Sequence, residues 1–403
     1  MSIIKREGLP HFVVKKNLQK SGTRGIYFSD VVTEEVLRDV CLKITGQMEF
    51  TCEYVDNSYH DPFLDATYNK GRLAILHVED TVCYISFSER EIGGRNSSVQ
   101  SVPTAFNLFY LNPYPNKRLF YYFLNVAGNA ETAYQRLIYR LMRTIGFTFL
   151  NASPSLEQIS SPFTSAEDII LNRKVNADRN RSNNSTYLTK GTDGALEVYG
   201  KTYGANKYET SLICYALACL RRPEQRIRLY EVLEGNLKEL PEASLRVIRK
   251  MGGIDVVRTG MTLEKRNYQE NKSLRSPLYI YNLLRRLGNK HCALCGCEIP
   301  EIIQGAHVWP VSKIKKAPGL TPEQRLEYAL DGENGLWLCE NHHKLFDENL
   351  LSFDQDGSVR LREGLDERYA NYIQEITKIQ SLPQSMLTKR FLWYLEQRSL
   401  SVS

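Results

Sequence analysis

At 403 residues, with 42% apolar and 24% charged side chains, the chain has room for two or three domains of ordinary globular composition. No apolar run approaches the roughly 20 residues that span a bilayer. No apolar segment follows the Met1–Gly8 start, so neither a membrane partner nor a secretory signal is expected, and a cytoplasmic location is the default. A net charge of +6 permits a nucleic-acid partner without demanding one.

In chain order, residues 1–150 mix strand-like and helical patterns. Leu73–Leu76, Val82–Phe87 and Phe120–Val126 are β-branched or aromatic runs. In Ala133–Ile145, Leu137, Ile138, Leu141 and Ile145 fall on one helical face. The region reads as an α+β domain with no assignable chemistry. Residues 151–192 are rich in Ser, Asn, Thr and Pro. They suit a solvated linker, or a loop whose Arg173, Lys174, Arg179 and Arg181 order against phosphates.

Residues 193–287 predict a strand at Leu196–Tyr199, a turn, a buried helix over Glu209–Leu220 and further helices. Here Asp193, Glu197 and Lys201 bear a loose similarity to the carboxylate-plus-lysine sites of the PD-(D/E)XK nucleases, with Glu209 as a further carboxylate. The spacing is poor, because that pattern wants acid-x-Lys. A DNA-facing turn using Lys201, Asn206, Lys207 and Tyr208, or a plain structural strand–turn–helix, remain as alternatives. Residues 261–290 then carry a net +5, with Lys265, Arg266, Lys272, Arg275, Arg285 and Arg286 as candidate DNA contacts and Lys290 beside them. Residues 366–399 have helical periodicity through Tyr372, Ile376, Ile379, Leu387, Phe391 and Leu395.

Of nine cysteines, Cys41, Cys52, Cys83, Cys214 and Cys219 lie scattered in apolar segments and read as reduced core thiols. Cys292, Cys295, Cys297 and Cys339 cluster, which in a reducing compartment suggests metal. Cys292-x2-Cys295 and Cys339-x2-His342 have the spacing of a structural zinc site, since a two-residue gap turns both ligands of a pair onto one ion. Cys297 is the less suitable substitute for Cys295. Zinc so placed ties down both ends of the intervening segment and supplies most of the local folding energy.

Between the two pairs run GAHVWPVSK and GENGLWLCENHHKLFD. Ala306-His307-Val308-x-Pro310, Asn334-Gly335-Leu336-x-Leu338-Cys339 and His342-His343-x-Leu345-Phe346-Asp347 resemble, in order and spacing, the HNH (ββα-metal) endonuclease superfamily over about 70 residues. The resemblance implies a multidomain α+β protein whose C-terminal zinc-stabilised HNH module, residues 288–360, precedes a helical segment at 361–403. The upstream residues then serve recognition of double-stranded DNA.

The chemistry agrees. Phosphodiester hydrolysis needs a deprotonated water and a counter-charge for the crowded phosphate oxygens. His307, ending a short apolar strand (residues 302–308), suits a general base near neutral pH. His343 and Asp347, at i and i+4, can hold one Mg²⁺ or Mn²⁺ from a helix, although Asp347 also suits a salt bridge. Carried over, His307 resembles the base and His343 the metal ligand; Asn334 resembles the residue that orients the base-bearing loop or touches the metal. His342 goes to zinc. Where many relatives have a metal-binding residue just before the base, this chain has Ala306, so waters and substrate complete the shell.

The layout resembles a restriction-type (type II-like) or phage-defence nuclease, with modification dependence as a variant. Other classes are a non-catalytic DNA-binding protein and a PD-(D/E)XK-type nuclease that uses the zinc domain as scaffold. Because one HNH module cuts one strand, a homodimer would suit double-strand cleavage.

Overall fold

The computed structural model describes residues 3–5, 13–14, 26–27, 34–46, 51–56, 73–88, 98–123, 133–173, 186–201, 206–233, 239–271, 273–274 and 276–402. The chain divides into two compact units. Residues 1–172, 202–223 and 238–254 make the first; residues 173–201, 224–237 and 255–403 make the second.

The first unit carries strands β1 (Ile3–Lys5), β2 (Val13–Val14), β3 (Ile26–Tyr27), β4 (Thr51–Asp56), β5 (Leu73–Val78), β6 (Thr81–Ser88), β7 (Lys117–Phe123) and β8 (Thr148–Phe149). Its helices are α1 (Glu34–Thr45), α2 (Ser98–Leu111), α3 (Ala133–Thr144), α4 (Pro154–Ile159), α5 (Ala166–Asn172), α6 (Asn206–Leu220) and α7 (Glu242–Met251). Six strands form one mixed sheet in the order β1-β4-β5-β6-β7-β8. β5 and β6 are antiparallel across a tight turn, whereas β6–β7 and β7–β8 are parallel, each pair joined through a helix as parallel strands require. Leu119–Phe123 are buried without alternation, the pattern of a strand covered on both faces. The amphipathic reading of α3 holds: Leu137, Ile138 and Leu141, with Ile145 just beyond, are all buried.

Residues 151–192 are more than a linker. Among the described residues they form α4, α5 and a strand, because Leu156, Phe163 and Ile169 are buried. Arg173 is buried too; Lys174, Arg179 and Arg181 lie outside the described residues, as do the side chains of Lys201, Asn206 and Lys207. Tyr208 is buried in the first unit and does not face outward.

The second unit opens with a four-stranded sheet of order β12-β11-β10-β9, made of β9 (Thr186–Lys190), β10 (Leu196–Lys201), β11 (Ile227–Val232) and β12 (Ile254–Thr259). Helices α8 (Met261–Asn271) and α9 (Pro277–Leu287) follow; Ser276 caps α9 through Leu278 N, with Pro277 in the first turn. Then come β13 (Ile303–His307), α10 (Val311–Lys316), α11 (Pro322–Leu330), β14 (Gly335–Cys339) and α12 (Glu340–Asp347). β15 (Leu351–Phe353) and β16 (Val359–Leu361) make a hairpin, and α13 (Glu367–Ile376) and α14 (Lys389–Val402) close the chain.

The antiparallel pair β13–β14 followed by α12 is a ββα unit. It lies closely on α9. A Cβ on Gly305 would come within 2.6 Å of Leu283, and one on Gly335 within 2.2 Å of the Tyr279 hydroxyl. Both positions need glycine for close approach. One core joins Leu283, Leu284, Leu294, Trp337, Phe346, Phe391 and Tyr394, so α9 and the C-terminal tail are built into the ββα unit. The tail departs from its sequence reading. Its helix stops at Thr377 and Ser381 bridges in extended conformation to Ser358, so the periodicity changes phase: Leu387, Phe391 and Leu395 are buried, whereas Tyr372 and Ile379 are exposed.

Candidate metal centre and cleft

The ligand atoms of Cys292, Cys295, Cys339 and His342 all lie within 4.8 Å of one another. The Cys295–Cys339 sulfurs are 3.9 Å apart, and His342 Nδ1 is 3.2 Å from Cys339 Sγ and 3.5 Å from Cys292 Sγ. These are near the edges of a tetrahedron with bonds of about 2.0–2.3 Å, roughly 3.3–3.8 Å. Thr377 donates its hydroxyl to Ile373 O at 2.6 Å, so it accepts from His342 Nε2 at 3.2 Å. The proton is thereby held on Nε2, and Nδ1 is left as the ligand nitrogen. The donor set and geometry fit structural zinc. Cys297 stays out of the cluster and instead closes the knuckle turn, its carbonyl accepting from Cys292 N at 2.8 Å.

His343, the next residue, turns to the other side of α12. It lines a cleft of about 790 Å³ together with Asp347, His307, Gln304 and Gly305. His307 ends β13 with its ring stacked on Tyr279, 3.8 Å between centroids and 13° between planes. Its Nε2 sits 2.9 Å from Ala329 O. A carbonyl only accepts, so Nε2 carries the proton and Nδ1 keeps its lone pair. Burial holds the His307 pKa down to about 4; the hydrogen bond to Ala329 O opposes it less strongly, and the nearby His343 adds a smaller downward push. The ring is therefore neutral at ordinary pH.

His343 follows the same logic. Its Nδ1 faces Gln304 Oε1 at 3.0 Å, which leaves Nε2 directed at Asp347 Oδ2, 3.4 Å away. Burial lowers its pKa, partly opposed by Asp347. A nitrogen lone pair beside a carboxylate, one helical turn apart and open to a cleft, fits one hard divalent cation with free positions.

Asn334 is fully buried and all of its amide is in use. Its Oδ1 accepts from Trp309 N at 2.7 Å, and its Nδ2 donates to Trp309 O and Tyr328 O at 3.1 and 3.0 Å. Of the two roles open to it, the geometry matches fastening the segment that follows His307. Three further residues had no signal in the sequence: Tyr279 beneath His307, Gln304 behind His343, and Arg398. The last is buried in α14 and donates to Val308 O at 3.1 Å and to Phe346 O, which joins the His307 strand to the His343 helix.

The basic stretch is divided. Lys265, Arg266 and Arg285 are exposed, with Arg266 paired to Glu270 at 3.0 Å. Lys272 and the Arg275 side chain lie outside the described residues. Arg286 is a correction. It is half-buried against Phe391, pairs with Glu333 at 2.8 Å and donates to the carbonyls of Gly332, Gly335 and Met386, so it holds the module together instead of facing DNA. Of the loosely PD-(D/E)XK-like set, Asp193 is held by Arg228 and Arg226, and the Lys201 side chain lies outside the described residues.

A zinc corner, an antiparallel pair ending in histidine, and a helix presenting histidine and aspartate to an open cleft define a ββα-metal nuclease module. Residues 292–354 match the family model of the HNH endonuclease, and this stretch is an HNH endonuclease domain. No curated protein matches the chain. Among the described residues no helix is long and apolar enough to cross a membrane.

Proposed function

We propose that the protein is a metal-dependent endonuclease that hydrolyses phosphodiester bonds of double-stranded DNA, of restriction or defence type. The observation that carries this is the pairing, in one cleft, of a neutral His307 whose Nε2 is tied to Ala329 O with the His343–Asp347 pair. His307 Nδ1 takes the proton of the attacking water. Asn334 and Tyr279 fix the ring's position, and Gln304 fixes the tautomer of His343. A Mg²⁺ or Mn²⁺ ion held by His343 and Asp347 would supply charge neutralisation at the scissile phosphate and at the departing 3′ oxygen. The products then carry 5′-phosphate and 3′-hydroxyl ends.

Lys315 and Lys316 stand exposed on α10, just beyond the cleft-lining Pro310–Ser312, and suit phosphate contacts with Lys265 and Arg285. Small HNH modules touch mainly backbone, so sequence or modification specificity falls mainly to residues upstream of the matched stretch, and a homodimer serves double-strand cutting.

Incubating plasmid with protein and Mg²⁺ or Mn²⁺ tests the reading. His307→Ala should lose cutting by a factor of about 10²–10⁴. If His307→Ala still cuts while Glu197→Ala is dead, the chemistry lies elsewhere and the reading fails. If the wild type binds DNA and never cuts, the protein is a DNA-binding scaffold.

A further inference from the structure

We propose that the part of the cleft lined by Thr192, Glu197, Tyr230 and Lys290 is a nucleobase subsite, in which Glu197 and Lys290 read the hydrogen-bonding edge of an unstacked base, guanine fitting best. This deepens the nuclease reading and rests on it. Every residue involved belongs to the second unit and borders the same 790 Å³ cleft as His307 and His343.

Glu197 and Lys290 are only 9% and 7% exposed, yet both line that cleft. Among the described residues they do not form an ion pair with each other, although each senses the other's charge. Each has spare capacity. The Lys290 ammonium donates to Lys190 O at 2.7 Å, which leaves two of its three N–H groups. Glu197 Oε2 accepts from the Tyr199 hydroxyl at 3.0 Å, while among the described residues Oε1 faces Arg228 at 3.8 Å, beyond hydrogen-bond distance. Burial raises the Glu197 pKa and lowers that of Lys290, so both charges are costly until something completes their bonds.

The occupant's chemistry follows by exclusion. A phosphate would meet the Glu197 carboxylate. A divalent cation would meet the Lys290 ammonium, and Asp193 cannot help hold it because two arginines take its carboxylate. What remains is a neutral group offering donors to one side and an acceptor to the other. Tyr230 adds a requirement for flatness: it lines the cleft with its ring stacked on Tyr199, 4.7 Å between centroids and 18° between planes, so a planar ring beside it prolongs the stack. Guanine presents N1–H and N2–H to a carboxylate and O6 to an ammonium along one edge. Such charge-assisted pairs discriminate between bases by a factor of roughly five to 150.

The test uses full-length protein. Sequences bound by His307→Ala are selected from a random duplex pool, and wild-type cut sites are mapped on random-sequence DNA with Mg²⁺ or Mn²⁺. Guanine is expected at one fixed position near the cut, and replacing it by inosine, which lacks the N2 amine, should weaken binding about tenfold. Glu197→Gln, checked for zinc content and melting temperature, should flatten the preference. An unchanged guanine preference in folded Glu197→Gln overturns the subsite, and so does a wild type indifferent to base near the cut. Should Glu197→Gln not fold, the inosine comparison on the His307→Ala protein decides by itself. A wild type that selects guanine but cuts nothing sinks the nuclease reading and leaves the subsite standing.

Discussion

His342 and His343 are neighbours in sequence and opposites in chemistry. His342 is buried, closed in by three cysteines and a threonine hydroxyl; His343 opens onto the cleft with one carboxylate and an amide. A saturated four-ligand set is a device for folding, whereas a two-ligand set with free positions is a device for binding substrate. On a helix, successive residues point about 100° apart, so one turn of α12 can serve a structural corner on one side and a reactive cleft on the other. The rigid corner therefore fixes the direction in which His343 points.

Breaking the corner should do the most damage. Cys339→Ser, or stripping zinc, should abolish the cooperative melting of the second unit together with all cutting, and excess Mg²⁺ should not restore either. Calorimetry with zinc analysis checks this; a zinc-free protein that melts normally would refute the division of labour.

Asn334→Ala comes next. It strands the buried Trp309 N–H and two carbonyls, each worth on the order of 1–3 kcal/mol, so both melting temperature and turnover should fall. Asn334→Asp keeps the acceptor for Trp309 N but opposes two carbonyls, and should be no better. Retained turnover in either would show that the loop after His307 does not need this fastening.

The pH response of His307, which shares the cleft with His343, is a smaller effect. With its pKa held near 4, His307 is neutral in the folded protein while the unfolded chain takes up a proton below about 6.5. Stability contributed by this residue is thus complete above 6.5 and is lost as pH falls toward 4, by up to ~3 kcal/mol. Melting temperatures of Mg²⁺-free protein between pH 7.5 and 4.5 should fall more steeply for the wild type than for His307→Gln; parallel curves would contradict the assignment.

The smallest effect lies at the rim. Lys315→Gln with Lys316→Gln should weaken DNA binding uniformly across sequences and reduce the salt slope by about one for each lysine, read from affinities at several salt concentrations. An unchanged slope would remove α10 from the DNA surface.

Local spacing carried much of this in advance. The x2 gaps of the zinc pairs, the i,i+4 placement of His343 and Asp347 and the apolar face of α3 are short-range patterns imposed by turn and helix geometry, and each appears as expected. The residue types at 307 and 334 were legible for the same reason, within a recognisable ββα order. Charge alone misled at Arg286, because a guanidinium on a basic stretch can as well satisfy carbonyls inside the core.

Chain folding decided the rest. Tyr279 reaches Asn334 O across 55 residues, Gln304 reaches His343 across 39, and Arg398 reaches Val308 across 90. Glu197 and Lys290 meet one cleft from separate segments of the second unit. No periodicity links such positions, since sequence pattern encodes which face of an element is buried but not which element will cover it. That choice is made by packing, and here packing supplied the platform under His307, the partner behind His343 and the two buried charged groups facing the cleft.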